Sequence, residues 1–433
     1  MSRRLIVCCL SLTLAAIVAA GWPFAQAPAP VPPPAPARTE PAPLSPSTIR
    51  SAIFLHPDGM GANTWTAARL RAVGPDGRLA WDRLPRVAVY VGPMLDRVHA
   101  SSQGGATTHA YGVRAEIDSY GMVDGAVPIA ASGKPMSLMR EAQAAGKAVA
   151  VLNTASLTEP GSGAFLASVP DRDQHARIAA QILEAAPEIA LGGGEQWFLP
   201  EGAPGRHGVG ARRDGRNLIA EARAAGYAVV FTREELAALP PTAQRVLGLF
   251  ASDNTFDGGA AGYFRAQAPR FDEMLAFALA RLRSAPRGYF IVGNEEATDD
   301  FGDGRDADGV IEAALGADRA IAIALDAAAA DPGLTVIVAS DSDAGGMHIV
   351  GSEDTPFTRL RAAANRDGER FLAAPDARGA RLPFRIAWAS SADGAGGTVA
   401  RGIGPGAARI EGTIDSTAIH RALFLGLFGR DPE

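Results

Sequence analysis

The stretch FDEMLAFALARLRSAPRGYFIVGNEEATDD (residues 271–300) combines a helix pattern, a glycine stop and an apolar strand. Apolar residues recur with helical spacing up to Leu282, and Gly288 then breaks the pattern. The following YFIVG segment indicates a buried strand, and an acidic cluster comes directly after it. This order predicts one helix–strand unit of an α/β sheet.

The same order occurs several times along the chain. Helix, turn and strand patterns follow one another in residues 135–157, 172–194 and 309–346, and a first strand, SAIFLHP, begins at Ser51. Alternating helices and apolar strands favour a mostly parallel sheet that is covered on both faces. The sequence therefore predicts an α/β fold with three layers, α/β/α, around a central mostly parallel sheet.

Composition limits the classes of protein that the chain can belong to. Of its 433 residues 47% are hydrophobic, which is enough for a large core. The formal net charge is −6, and no run of lysine or arginine occurs. Nucleic acid binders usually carry a basic patch, so we expect no nucleic acid binding.

The N-terminus has the pattern of a secretory signal. A basic MSRR segment precedes the apolar run Leu5–Ala20, and AQA at 25–27 is a plausible cleavage site. An uncleaved membrane anchor is the alternative, because the run is close to the ~17-residue minimum for spanning. We expect a signal peptide over residues 1–27, a Pro/Ala-rich linker over 28–47 and the folded domain over 48–433. The mature protein would then be periplasmic or secreted, with no stable membrane span and, since Cys8 and Cys9 both precede the linker, no cysteine.

Acidic residues follow several of the predicted strands. Asp58 follows IFLHP, Glu159 follows VLNTASLT, an acidic cluster from Glu295 to Asp303 follows YFIVG, and Asp341 follows VIVAS. In open α/β sheets, ligands bind beyond the carboxyl ends of the strands. Carboxylates gathered there repel one another unless a cation neutralises them. The pattern favours a site for several metal ions with oxygen ligands.

Each acidic motif also has a simpler interpretation. HPDGMG (56–61), VIVASDSDAGG (336–346) and SSADGAGG (390–397) could each be an ordinary turn. The acidic segment at 293–309 could be a solvated loop or a single calcium loop, although its spacing does not fit an EF-hand. Taken singly, these motifs leave the function open.

Their order along the chain resembles the alkaline phosphatase family. The resemblance is carried by IFLHPDGMG, GGATTHAYGVR, GKAVAVLNTASLTEPGSGAFLASVPDRD, PRGYFIVGNEEATDD and ARGIGPGAARIEGTIDSTAIHRALF, and it spans roughly residues 50–430. It implies that Ser102 is the nucleophile and that Arg172 clamps the phosphate. The residues it implies as metal ligands are Asp58, Glu159, Glu295, Asp299, Asp303, Asp341, Ser342 and Asp393.

The chain departs from the family pattern at the metal ligands. Asp303, Ser342 and Asp393 stand where the resemblance implies three zinc-binding histidines, and Asn294 stands where it implies a glutamate. Glu295 or Glu296 must then replace that glutamate. Such an oxygen ligand set favours Mg²⁺, Ca²⁺ or Mn²⁺, while Zn²⁺ remains possible from the resemblance.

The seven histidines of the chain are not expected to bind metal. None stands at a ligand position of the family pattern, and His56 and His109, which adjoin the motifs, are expected to pack or to support ligands from behind.

Together these features predict an exported, metal-dependent phosphomonoesterase that acts through a phosphoserine intermediate. Its partners would be small phosphate monoesters, and the resemblance suggests a homodimer. Two alternatives remain open: a phosphodiesterase of the same superfamily, and a phosphatase fold that binds metal or phosphate without turnover. A sulfatase is disfavoured, because the segment around Ser102 lacks the Cys/Ser-x-Pro/Ala-x-Arg pattern.

Overall fold

The computed structural model describes residues 51–259, 262–350 and 371–432. The predicted signal peptide and linker lie outside these residues, as does the start of the predicted domain at residue 48. In the described part of the chain, no helix combines the length and the apolar character needed to cross a membrane.

A ten-stranded sheet forms the centre of the domain. Its strands are β1 (Ser51–Pro57), β2 (Arg86–Val91), β3 (Ala148–Ser156), β4 (Ile189–Gly193), β5 (Ala228–Val230), β6 (Val246–Leu249), β9 (Tyr289–Glu295), β10 (Leu334–Val338), β16 (Val399–Ile403) and β17 (Gly412–Asp415). They lie in the order β17-β2-β16-β10-β1-β9-β3-β4-β6-β5. Neighbouring strands pair in parallel, except that β16 runs antiparallel to both β10 and β2. The mostly parallel sheet predicted from the sequence is therefore confirmed.

Helices cover both faces of this sheet. They are α1 (Ala62–Val73), α2 (Ser102–Tyr111), α3 (Leu138–Ala144), α4 (Pro160–Gly163), α5 (His175–Ala185), α6 (Leu218–Ala224), α7 (Arg233–Ala238), α8 (Phe271–Leu282), α9 (Ala297–Asp303), α10 (Ala307–Ala330) and α11 (Thr417–Phe428). Side chains of α2, α3, α5, α6 and α11 belong to one core, and side chains of α1, α7, α8 and α10 belong to another. The two cores confirm the predicted three-layer arrangement.

Strand β1 contributes side chains to both hydrophobic cores. Ala52 and Phe54 belong to the core with α2, whereas Ile53 and Leu55 belong to the core with α10. Successive side chains of a strand point to opposite faces, so a central strand covered on both faces must be apolar throughout. The register continues to the polar end of the strand, where His56 is paired with Asn294 of β9.

Three smaller sheets complete the described structure. Strand β7 (Phe256–Gly259) pairs antiparallel with β8 (Gly262–Phe264), and β11 (Asp343–Ala344) pairs antiparallel with β15 (Asp393–Gly394). The third contains β12 (Met347–Val350), β13 (Phe371–Leu372) and β14 (Pro383–Trp388). The pairing of β11 with β15 brings the segment after β10 beside Asp393.

Candidate active site

Ser102 is the first residue of α2 and lies in a buried position. Ser101 caps the helix, because its hydroxyl accepts a hydrogen bond from the backbone N–H of Gly104 (3.3 Å) and donates one to the carbonyl of Ile117. Only 6% of Ser102 is exposed. The N-terminus of a helix carries partial positive charge and free N–H groups, which favour a bound anion. The hydroxyl of Ser102 is therefore placed at a favourable position for a phosphate group.

The helix approaches the sheet closely because Gly105 has no side chain. A Cβ at this position would lie 2.7 Å from Oδ2 of Asp341. The glycine-rich segment after Ser102 thus allows α2 to contact the acidic end of β10.

A pocket of about 220 Å³ contains Ser102 and most of the other residues predicted from the sequence. It is strongly polar, and its lining residues come from six separate segments of the chain. They are Ser101, Ser102, Glu159, Arg172, Asn254, Glu296, Asp299, Asp300, Asp303 and Asp393. The folded chain therefore gathers residues that are up to 292 positions apart, from Ser101 to Asp393, around one small cavity.

A buried cluster is formed by His56, Asp58 and Asp341. Oδ1 of Asp341 is 3.5 Å from Nε2 of His56, and Oδ2 of Asp58 is 3.8 Å from Nδ1. One ligand atom from each of the three side chains lies within 4.8 Å of the others. Asp58 and Asp341, both expected as metal ligands, are thus close together, and His56 joins them although no ligand role is expected for it from the sequence.

A second cluster is formed by Glu296, Asp299 and Asp300 around the start of α9. Their nearest carboxylate oxygens also lie within 4.8 Å of one another. Glu296 is buried, Asp299 is half-buried and Asp300 is exposed. Gly59, in a left-handed conformation at φ +60°, lets the chain pass against Asp299, because a Cβ there would overlap Oδ1. Asn254 reaches the rim of the cluster, where its Nδ2 donates to Oδ2 of Asp300 (3.2 Å).

Asp303, Ser342 and Asp393 extend this acidic region. The hydroxyl of Ser342 donates to Oδ1 of Asp393 at 2.5 Å, and Oδ1 of Asp303 accepts from the backbone N–H of Gly345 at 3.0 Å. Asp303 and Asp393 line the pocket, whereas Ser342 is buried behind it. All three residues predicted at histidine positions therefore lie in or beside the pocket.

Arg172 projects into the same pocket and has two partners. Its Nη1 donates to Oε1 of Gln103 at 2.8 Å, and its Nη2 donates to Oε2 of Glu159 at 2.5 Å. Burial lowers the pKa of the guanidinium, but the carboxylates of Glu159 and Glu296 outweigh burial and raise it. The side chain is therefore a permanent cation held at the edge of the acidic clusters.

Glu295, another predicted ligand, is buried and hydrogen-bonded outside the pocket lining. Its Oε1 accepts a hydrogen bond from Thr154 (2.7 Å), and burial raises the pKa of the carboxyl to about 8. Glu295 ends β9, whereas Glu296 already has helical backbone angles and directly precedes α9. Glu296 lines the pocket and Glu295 is not among its lining residues, so of the two glutamates that the sequence offers for this ligand role the pocket favours Glu296.

The carboxyl groups at the site strongly favour a bound cation. Burial, followed by the charges of neighbouring carboxylates, raises the pKa of Asp58, Glu296 and Asp299 well above the usual range, and raises that of Asp393 to about 7. Among the described residues, buried atoms without a hydrogen-bond partner include both carboxylate oxygens of Asp58, Oδ1 of Asp299 and Oδ2 of Asp341. Buried carboxylates that lack donors are costly unless a cation pairs with them. The residues present therefore fit divalent metal ions.

Sequence reasoning misses four contributors to the site: His56, Gln103, Asn254 and Asp300. A signal exists for His56, because it stands two positions before Asp58 at the end of a strand, where alternate residues share a face. Gln103 and Asp300 stand directly beside predicted residues. Asn254 follows β6 in a segment whose pattern indicates only scaffold, so no local signal points to it.

Comparisons with known proteins agree with this geometry. The family profile described as alkaline phosphatase matches residues 49–381. The chain is 33% identical to streptomycin-6-phosphate phosphatase of Streptomyces griseus over 345 residues, which cover 68% of this chain and 74% of that protein. The profile match ends before Asp393, whose position beside Ser342 comes from the fold itself.

Two solved structures share the fold. Alkaline phosphatase from Thermus thermophilus superposes with a TM-score of 0.71 at 24% identity, covering 88% of this chain and 91% of that one. A variant of the TAB5 alkaline phosphatase with Mg bound in its M3 site gives a TM-score of 0.67 at 18% identity, covering 88% and 98%. The profile match, the curated relative and the shared fold lead to one conclusion: the chain belongs to the alkaline phosphatase family and is a phosphomonoester hydrolase.

Proposed function

We propose that this protein is an exported, metal-dependent phosphomonoesterase that forms a phosphoserine intermediate on Ser102. The observation that carries the proposal is the common pocket of Ser102 and Arg172 with the carboxylates of Glu296, Asp299 and Asp393. A nucleophile, a cationic clamp and candidate metal ligands are the groups that phosphoryl transfer requires.

In the proposed reaction, Oγ of Ser102 attacks phosphorus and loses its proton, while the bond from phosphorus to the leaving oxygen breaks. The released alcohol takes up a proton. Water then attacks the phosphoserine and gives up a proton, the bond between phosphorus and Oγ breaks as Oγ takes up a proton, and inorganic phosphate and free Ser102 are released. Arg172 donates two hydrogen bonds to non-bridging oxygens throughout, as its planar fork allows.

The candidate ligands divide into three groups around the pocket. Asp58 and Asp341 lie at the first, which also contains the predicted ligand Ser342, and Asp299, Asp303 and Asp393 form the second. Glu159 and Glu296 form the third. Divalent ions bound there supply positive charge that favours an ionised serine and stabilises the leaving oxygen. A mostly carboxylate set favours Mg²⁺, Ca²⁺ or Mn²⁺, with Mg²⁺ supported by the TAB5 structure described above, and Zn²⁺ is the alternative.

The small polar pocket supports a small phosphate monoester as substrate.

Export is proposed from the basic and apolar pattern of residues 1–27, and a homodimer is proposed from the family resemblance. Activity of intact cells and of cell fractions tests export, and light scattering after gel filtration tests the dimer.

The nucleophile is tested with Ser102→Ala, using p-nitrophenyl phosphate and acid trapping of labelled phosphate on the protein. We expect turnover to fall at least about 100-fold and the trapped label to disappear. Ser101→Ala is the matched control: it removes a helix cap, at about 1 kcal/mol, but leaves the label on the protein. Unchanged turnover in Ser102→Ala would reject the assignment.

The metal requirement is tested on chelator-treated protein by adding back Mg²⁺, Ca²⁺, Mn²⁺ or Zn²⁺ one at a time. We expect a hard cation to restore turnover of p-nitrophenyl phosphate, and recovery with Zn²⁺ alone would contradict that preference. Faster turnover of bis-p-nitrophenyl phosphate than of the monoester would instead support a phosphodiesterase. No turnover with any of the four ions would support binding without catalysis.

A further inference from the structure

His56 presents a ring nitrogen to the buried carboxylates at the first group of candidate ligands. The side chain is fully buried, and its Nε2 has no hydrogen-bond partner among the described residues. That nitrogen lies 3.5 Å from Oδ1 of Asp341. Oδ2 of Asp341 and both oxygens of Asp58 are also buried without a partner. Four polar atoms on three side chains are thus left unpaired in one small region.

The hydrogen bond at the other ring nitrogen fixes the tautomer of His56. Nδ1 is 2.7 Å from Oδ1 of Asn294, and the Nδ2 group of Asn294 donates to Oε2 of Glu296 at 2.5 Å. The amide oxygen therefore faces the imidazole and can only accept, so Nδ1 carries the proton. In neutral imidazole the lone pair is then on Nε2, on the side of Asp341. Histidine ligands of metal ions usually make this second hydrogen bond, which orients the ring.

A proton on Nε2 would not satisfy the cluster. One N–H can pair with a single oxygen of Asp341, and burial together with the charge of Asp341 would still hold the pKa of Asp58 well above its usual range. One ligand atom from each of the three side chains lies within 4.8 Å of the others, so a divalent cation can contact the imidazole and both carboxylates, and its charge balances the two negative charges. The arrangement is therefore better explained by a metal ion than by a buried ion pair.

The expected additional ligand, Ser342, is turned toward another group. Its hydroxyl proton is donated to Oδ1 of Asp393 at 2.5 Å, whereas its contact with Oδ1 of Asp341 is 3.5 Å. His56 approaches Asp341 from β1, with Nε2 3.5 Å from Oδ1. The imidazole is thus available where the serine hydroxyl is already engaged.

We propose that Nε2 of His56 is a direct metal ligand, together with Asp58 and Asp341. The first group of ligands then includes a nitrogen atom, whereas the sequence predicts ligand atoms that are all oxygen. An imidazole ligand increases affinity for Zn²⁺ relative to Ca²⁺ and Mg²⁺, so His56 determines which ion this group prefers. The inference rests on the metal-dependent function proposed above, but it concerns ligation and not turnover.

Electron spin-echo spectroscopy of bound Mn²⁺ tests the ligand directly, since it detects nitrogen coupling from a coordinated imidazole. The full-length protein would be stripped with chelator, checked for folding by circular dichroism and loaded with Mn²⁺ to saturation. We expect imidazole coupling in the wild type, loss of that coupling in His56→Gln, and retention of it in His109→Gln. His109 is the matched control, because it is also fully buried and its ring centre is 5.5 Å from that of His56.

Two results of this experiment would overturn the proposal. One is a saturated wild type without nitrogen coupling, which decides the question even if His56→Gln fails to fold. The other is a folded His56→Gln that keeps the coupling. If coupling is present but phosphate esters are not hydrolysed, the proposed function fails and the ligand assignment stands. If phosphate esters are hydrolysed but the Mn²⁺-loaded wild type shows no nitrogen coupling, the proposed function stands and the ligand assignment fails.

Metal affinity provides a second measurement. By calorimetry on the stripped protein, His56→Gln should weaken Zn²⁺ binding at one site by at least about tenfold and weaken Ca²⁺ binding less, while His109→Gln should change neither. Equal weakening of both ions in His56→Gln would contradict a nitrogen ligand.

Discussion

Arg172 and Glu159 are joined by a hydrogen bond of 2.5 Å from Nη2 to Oε2. The bond connects the cation expected to clamp phosphate with a candidate metal ligand. Gln103, one position after Ser102, accepts a hydrogen bond from Nη1, the other terminal nitrogen of the guanidinium. The phosphate clamp, the nucleophile's helix and the third ligand group therefore form one connected network.

For catalysis, the two parallel N–H donors of the Arg172 guanidinium are expected to matter more than its positive charge alone. Arg172→Lys keeps a cation but removes the two parallel donors, so kcat/KM for p-nitrophenyl phosphate should fall about 10- to 100-fold. Arg172→Ala should lower it further, because no cation then faces the phosphate. Steady-state kinetics of both variants checks this order. Equal activity of Arg172→Lys and wild type would contradict the clamp.

Glu295 and Glu296 offer a matched pair for the third ligand group. Glu296→Gln should weaken Mg²⁺ binding at least about tenfold, because it removes a charged ligand at the pocket. Glu295→Gln should leave Mg²⁺ binding unchanged: with a pKa of about 8 the buried carboxyl is mostly protonated at pH 7, and glutamine has nearly the same shape. Calorimetry with Mg²⁺ on the stripped protein measures both. Weaker binding in Glu295→Gln alone would identify Glu295 as the ligand instead.

Gly59 should tolerate no side chain, because Asp299 and Ala344 lie against it. Gly202 is the matched control, since its φ of +75° is similar to the +60° of Gly59 but no atom lies within 4 Å of the place that a Cβ would occupy. Alanine at either position costs about 1–2 kcal/mol from the left-handed backbone. Gly59→Ala should cost about 1–3 kcal/mol more from crowding. Chemical denaturation measures the difference, and equal losses in the two variants would contradict the packing.

The stability of the metal-free protein should fall as pH rises. Burial raises the pKa of Asp393 to about 7 and those of Asp58, Glu296 and Asp299 well above the usual range. The folded state then binds more protons than the unfolded state from about pH 4 up to these raised values. This contribution is complete below about pH 4 and is lost as pH rises through about 7.

In chelator, the free energy of unfolding should therefore drop by at least about 1 kcal/mol between pH 5.5 and pH 8. Saturating Mg²⁺ should reduce or reverse the trend, because the ion binds the deprotonated carboxylates. Urea denaturation at the two pH values, with and without Mg²⁺, is the measurement. A metal-free protein that becomes more stable at pH 8 would show that these carboxyls are not protonated in the folded state.

The sequence is a good guide where the pattern is local and repeated. The segment 271–300 forms α8 and β9 as predicted, because apolar spacing and Gly288 specify those elements without help from distant residues. The helix α9, which begins within the acidic cluster, is not predicted from the sequence. Asp58 and Asp341 follow neighbouring parallel strands, so their proximity follows from topology alone.

The sequence is a poor guide where the direction of a side chain decides the role. Glu295 and Glu296 are adjacent and chemically alike, and only the end of β9 determines which of them enters the pocket. Gln103 contacts Arg172 across 69 positions of the chain, which no local pattern encodes.

The sequence by itself determined the layered α/β architecture and the acidic ends of its strands, because hydrophobic periodicity and strand order act through neighbouring residues. Tertiary structure alone decided which polar atoms meet. The pairing of β1 with β9 sets His56 against Asn294, and the end of β10 brings Asp341 to within 3.5 Å of that imidazole. Such contacts depend on strand register and on which face each side chain occupies, and these are fixed only when the sheet packs.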